Sequence, residues 1–105
     1  GVGVINYDYA TIRDYRIKNN CKIVTYALDH EADFKAINIQ YSQEGSTFDV
    51  VCLEGTYAFE TRLLGKHNIG NILAGIALGR QLGLDWANLQ KAVMKAILSS
   101  CIVPE

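Results

Sequence analysis

Nothing in this sequence approaches the ~20 consecutive apolar residues that a bilayer-spanning helix needs. Residues 1–9 also lack the basic stretch leading into an apolar run that marks a secretory leader. Neither sign of charge dominates: ten Lys and Arg stand against eleven Asp and Glu, a net charge of -1. Without a positive field there is no general attraction for phosphate backbones or acidic membranes, so nucleic acid and membrane insertion are not expected. Cys21, Cys52 and Cys101 are odd in number and widely spaced, with no C-x-x-C pair, which argues against a disulfide framework and against a zinc site. A free thiol inside an apolar strand behaves as a small hydrophobe, and that suits a reducing compartment, so a cytoplasmic location is the expectation. Internal repeats, low-complexity tracts and linker-like stretches are missing as well. The chain opens without Met in a strand-like run and closes at Val103-Pro104-Glu105 without a polar tail. Both ends read as cuts, and residues 1–105 read as a single partial domain.

What is present is ordinary globular material. Half of the 105 residues are apolar and a fifth are charged, enough for one small core. Val2 to Asn6 is a β-branched run that turns polar, the pattern of a buried strand opening onto a loop. An imperfect apolar stripe over residues 10–18 predicts a short surface helix, stopped by Asn19-Asn20. Residues 22–28, rich in Ile, Val, Thr and Tyr, complete a strand-helix-strand unit. After the polar break Asp29-His30-Glu31, the alternation of Ile37, Ile39 and Tyr41 predicts a strand with those three on one face.

Residues 47–53 and 56–62, joined by Glu54-Gly55, read as an antiparallel hairpin with Phe48, Val50 and Cys52 on one face and Tyr57, Phe59 and Thr61 on the matching one. The turn Gln43-Glu44-Gly45-Ser46 extends it to a three-stranded meander. Past Gly65 the period changes to 3.6: Ile69, Ile72, Leu73, Ile76 and Leu82 mark one side of a helix that ends at Gly83. A last helix starts at Asp85 as N-cap and carries Trp86, Leu89, Ala92, Val93, Ala96 and Ile97 inward. The fold class is α/β: a strand-helix-strand unit, an antiparallel β-meander and a C-terminal helical hairpin.

Chemistry concentrates where strand and glycine lead into helix, at Leu64-Gly65-Lys66-His67-Asn68-Ile69-Gly70-Asn71. Asn68 and Asn71 lie three apart on the first helical turn, beside unpaired backbone N–H groups and the positive end of the helix dipole. Asn68 as an N-cap with Asn71 closing the cap is one reading. The other is a ligand corner: an asparagine amide offers one donor and one acceptor, which match the donor–acceptor edge of adenine. His67 can serve as a hydrogen-bond partner beside them or simply be solvated. Lys66 invites a phosphate, but no Gly-x-x-x-x-Gly-Lys-Ser/Thr loop occurs to cradle a triphosphate. Asn6-Tyr7-Asp8 sits at the end of the first strand, where open α/β sheets place ligand crevices, and is equally an Asx turn. Asp29, Glu31, Asp33 and Glu44 read as solvated loop carboxylates without metal-ligand spacing, and no residue stands out as catalytic.

Two of these motifs carry a family resemblance. Val4-Ile5-Asn6-Tyr7-Asp8 resembles the V-x-N-x-D-D-P strand end of the Mur ligases, with Tyr9-Ala10 in place of the last Asp-Pro. Leu63-Leu64-Gly65-Lys66-His67-Asn68-Ile69-Gly70-Asn71-Ile72-Leu73-Ala74 resembles their L-x-G-x-H-N-x-x-N-A-L-A helix start. Between them, Ile23-Val24-Thr25-Tyr26 and Ala32-Asp33-Phe34-Lys35-Ala36-Ile37-Asn38-Ile39 are similar to strands of the peptide-adding members. The resemblance implies the rear half of the central, ATP-binding domain of a ligase of peptidoglycan precursor synthesis. Such a ligase activates a carboxylate of a UDP-N-acetylmuramoyl-peptide with ATP and magnesium, then joins it to an amine. By position, Asn68 and Asn71 would face adenine with His67 beside them, while the P-loop and magnesium ligands lie upstream in the family. His67 resembles the D-alanyl-D-alanine-adding member, with the diaminopimelate- or lysine-adding member second. The alternative from the residues alone is a non-enzymatic α+β binding or scaffold module.

Overall fold

The computed structural model describes residues 2–8 and 22–95. The helix expected over 10–18, Cys21, Cys101, and Ala96 and Ile97, which were expected to face inward, lie outside them. Five strands, β1 (Val2–Asn6), β2 (Lys22–Ala27), β3 (Phe34–Ser42), β4 (Gly45–Cys52) and β5 (Gly55–Thr61), form one sheet in sequence order. β1, β2 and β3 run parallel, Val2 pairing with Lys22 and Tyr26 with Phe34, whereas β3, β4 and β5 run antiparallel. Two helices, α1 (Lys66–Gln81) and α2 (Trp86–Lys95), follow.

One apolar cluster joins a face of the sheet to the helices. Val24, Phe34, Ala36, Phe48, Val50 and Phe59 from the strands meet Ile69, Leu73, Ile76, Ala77, Leu89 and Val93 from the helices. The 3.6 and 2.0 periods read from sequence therefore converge on the same interior. Two turns of two residues make the meander possible, and at Gly45 only glycine fits. Its φ is +148°, and a Cβ placed there would lie 2.1 Å from the backbone oxygen of Thr61.

The strand β3 departs from simple alternation. Between Ile37 and Gln40 its register with β4 slips by one residue, and Asn38 sits at φ 54° in the left-handed region that asparagine tolerates. The Asn38 amide donates to Asp49 Oδ2 at 3.0 Å across this bulge. Phe34 and Ala36 face the core before it, and Ile39 packs on the core after it. Ile37 and Ile39 thus do not share a face, and Tyr41 is 52 % exposed, contrary to the unbroken alternation expected.

Two inward assignments on the helices also change. Leu82 is 70 % exposed because α1 has already closed: Gly83 N–H donates to the Arg80 carbonyl at 3.2 Å and Leu84 N–H to the Gly79 carbonyl at 3.0 Å. With Gly83 at φ +92° this is a Schellman ending. Ala92 is exposed, whereas Leu89 and Val93 one turn apart are buried. Asp85 is the expected N-cap of α2, its Oδ1 accepting from Asn88 N–H at 2.8 Å.

Candidate functional site

Parallel strands end together, and the C-terminal ends of β1 and β2 meet the first turn of α1 at one corner. Asn6 closes the β1 end as an Asx turn, its Oδ1 accepting from Asp8 N–H at 2.8 Å. The Asp8 carboxylate then reaches back across the sheet edge. It accepts from the backbone N–H of Leu28 at 2.8 Å and of Asp29 at 2.9 Å, and pairs with His30 Nδ1 at 3.0 Å. Partial burial works against the charge on Asp8. The Leu28 N–H, the His30 ring and the Asp29 N–H together favour it more, and the carboxyl is held below the usual carboxylate range. Facing an ionised Asp8, the Nδ1 of the half-exposed His30 ring is the donor of that bond.

The next link runs to the helix. Asp29 Oδ2 accepts from Lys66 Nζ at 2.8 Å, and this bond raises the Lys66 ammonium above its ordinary value. Lys66 is the first residue of α1, and His67 and Asn68 follow it. The N-cap is Gly65, at φ 90° and ψ 152°, so Asn68 is not the cap that one reading of the sequence expected. Asn68 instead stands within the first turn and donates from Nδ2 to the Leu64 carbonyl at 2.6 Å, and its Oδ1 has no hydrogen-bond donor among the described residues. His67 and Asn71 are exposed and have no hydrogen-bond partner among the described residues. The corner so built offers two amides, an imidazole and helix N–H groups on one surface, suited to a polar, planar ligand.

The sequence reading found His67, Asn68, Asn71, Asn6 and Asp8 and left out Asp29, His30 and Lys66, which tie them together. Asp29 had been read as solvated, and no local pattern announces a bond that spans 37 residues. The larger clefts are elsewhere: one of about 530 Å³ is lined by Asn38, Asp49, Glu60, Gln90 and Met94 among others, on the meander side. At the corner these residues supply a wall rather than a closed pocket. Among the described residues no group of three or more His, Cys, Asp or Glu is placed to hold a metal ion.

The profile of the Mur ligase middle domain matches residues 1–79. The chain belongs to that family. It is 38% identical over 90 residues to a UDP-N-acetylmuramoyl-L-alanyl-D-glutamate--2,6-diaminopimelate ligase of Chlamydia muridarum, a match covering 85% of this chain and 19% of the relative. It is 42% identical over 96 residues to a UDP-N-acetylmuramate--L-alanine ligase of Dictyoglomus turgidum, covering 89% of this chain and 20% of the relative. A solved UDP-N-acetylmuramoyl-L-alanyl-D-glutamate--2,6-diaminopimelate ligase superposes with a TM-score of 0.81 at 34% identity, over 91% of this chain and 21% of that one. A solved D-alanyl-D-alanyl ligase from Acinetobacter baumannii gives a TM-score of 0.82 at 19% identity, over 92% of this chain and 22% of that one.

The chain therefore spans about a fifth of the length of the Mur ligases it matches. The α/β fold read from sequence is the fold of their central domain. The kinship expected with the D-alanyl-D-alanine-adding member is corrected by these figures, since that relative shares the fold alone, while the diaminopimelate ligases share sequence too. The sequence signal for the former was His67, a single exposed side chain without a hydrogen-bond partner among the described residues.

Proposed function

We propose that residues 1–105 are part of the central domain of an ATP-dependent ligase of peptidoglycan precursor synthesis, and that Asn68 and Asn71, with His67 beside them, form one wall of its adenine site. The observation that carries this is the corner itself: in a Mur ligase domain, α1 starts beside the ends of β1 and β2 and carries Asn68 in its first turn and Asn71 in its second. An amide that donates from nitrogen and accepts at oxygen can pair with the amino group and ring nitrogen of adenine. Asn71 has both groups available among the described residues, and Asn68 has its oxygen. Asn6 and Asp8 support the same corner from the strand side.

The reaction proposed for the whole ligase needs little covalent help from this wall. A carboxylate oxygen of the UDP-N-acetylmuramoyl-peptide bonds to the γ-phosphorus of ATP and ADP leaves. The amine then attacks the acyl carbon, phosphate leaves, and the amine gives up a proton. Magnesium would neutralise developing phosphate charge in that step, and its ligands are proposed to lie outside this segment. Binding at the adenine end is equal in ground and transition states, so these residues set ATP affinity rather than the rate of chemistry. A ligase drawing on ATP and a nucleotide-linked peptide fits the cytoplasm. Diaminopimelate is the added amino acid favoured by the sequence likeness, with lysine as the second choice. The comparable likeness to an L-alanine ligase supports a segment that serves ATP, whichever amine is joined.

The test uses the full-length ligase. Asn68→Ala with Asn71→Ala is expected to weaken ATP binding at least tenfold, about 1.4 kcal/mol, with kcat little changed. Unchanged ATP affinity with a loss of ~1 to 2 kcal/mol in stability would return both residues to helix-end hydrogen bonding. ADP release with UDP-N-acetylmuramoyl-L-alanyl-D-glutamate plus diaminopimelate or lysine, and with UDP-N-acetylmuramate plus L-alanine, each pair offered separately, decides the amine. Residues 1–105 alone, given ATP and magnesium, are expected to release no ADP.

A further inference from the structure

The described side chains of the corner form a chain of contacts that the adenine reading does not use. Asp8, at the end of β1, holds the segment between β2 and β3 through two backbone N–H groups and His30. Asp29 in that segment holds Lys66, one residue before His67 and two before Asn68. Among the described residues no side chain caps α1, since Gly65 is the N-cap, and the Asn68 bond to Leu64 stays within the helix start itself. The link is thus well placed to set how far the first turn stands from the sheet edge.

We propose that Asp29 and Lys66, anchored by Asp8, are positioning residues that hold the start of α1, and with it Asn68 in the first turn and Asn71 in the second, in register with the ends of β1 and β2 for nucleotide binding. This rests on the adenine-wall reading and adds to it residues that touch no nucleotide. Charge and length both matter in such a bond, so arginine can replace Lys66 while a neutral side chain cannot. The two members act as one unit, and removal of either undoes the same restraint.

In the full-length ligase, Lys66→Met and Asp29→Asn are each expected to weaken ATP binding about two- to fivefold, the range of an exposed ion pair. The double variant is expected to weaken it no further than either single one, Lys66→Arg to bind as the unaltered enzyme does, and kcat and the melting temperature to stay unchanged. Additive losses would overturn the proposal, because Lys66 would then act on the nucleotide directly. So would a fall in kcat at unchanged ATP affinity, or no effect at all. Asn68→Ala with Asn71→Ala is measured alongside. If that pair weakens ATP binding while the Lys66 and Asp29 variants are silent, only the positioning role fails; if the asparagine pair is silent, the adenine wall fails and the positioning role with it.

Discussion

At the meander side of the molecule, rings and glycines hold the chain together; at the parallel side, a carboxylate and backbone N–H groups do. Phe48 and Phe59 stack with centroids 5.7 Å apart, and Tyr57 lies on Trp86 of α2 at 4.0 Å and 6° between planes. Arg80 covers Trp86 at 5.3 Å and forks onto Glu54, which also accepts from Trp86 Nε1 at 3.1 Å. That bond to Arg80 is the main cause that lowers Glu54 below its ordinary carboxylate range. Burial of rings is non-directional and large, whereas the corner of Asp8, Asp29, His30 and Lys66 depends on geometry and is partly wet. Ring packing and directional polar bonding are thereby concentrated at opposite ends of one sheet.

The comparison is broken most severely at Gly45. Gly45→Ala forces a Cβ against the Thr61 oxygen and is expected to cost ~4 kcal/mol or more, or to abolish cooperative unfolding in urea. Trp86→Ala, which empties the space between Tyr57, Phe34 and Phe59, is expected to cost ~3 kcal/mol by the same measurement.

Asp8→Asn tests the other end and is expected to cost about 1 to 3 kcal/mol near neutral pH. Its sign with pH is fixed by the depressed carboxyl of Asp8. The stabilisation is fully present above the unfolded value of ~4 and is lost as pH falls through the lower folded value. Urea midpoints taken from pH 6 downward should therefore converge for Asp8→Asn and the unaltered chain; a constant gap would mean that the charge is irrelevant. Asp85→Ala, which removes only the α2 cap, is expected to cost ~1 kcal/mol in the same urea measurement at neutral pH.

The same division decides what could be read from sequence. Strands β4 and β5 were legible because alternation and two-residue turns are local, and α1 because Ile69, Leu73 and Ile76 repeat at helical spacing. The face of β3 was not, since a bulge at Asn38 leaves the composition of the strand unchanged while reversing its second half. Gly65 as the cap of α1 was hidden behind Asn68, a better capping residue by type but one that the left-handed backbone of Gly65 places inside the helix. Asn68, Asn71 and His67 were visible as a motif. The partners of Asp8 and Lys66 were not, because two segments distant in sequence meet only when the sheet has formed.

The strand order also bears on how the chain acquires its shape. Cys52 pairs with Gly55 across a two-residue turn, and Ser42 with Gly45, so β3, β4 and β5 can zip together with almost no loop to close. β1 pairs with β2 in parallel, across a far longer connection between Asn6 and Lys22. Synthesis delivers β1 first, yet it must wait for its place. Pulse-labelled amides in β4 and β5 are accordingly expected to gain protection before those of β1, and the corner of Asp8, Asp29 and Lys66, which needs both β1 and α1, to assemble last.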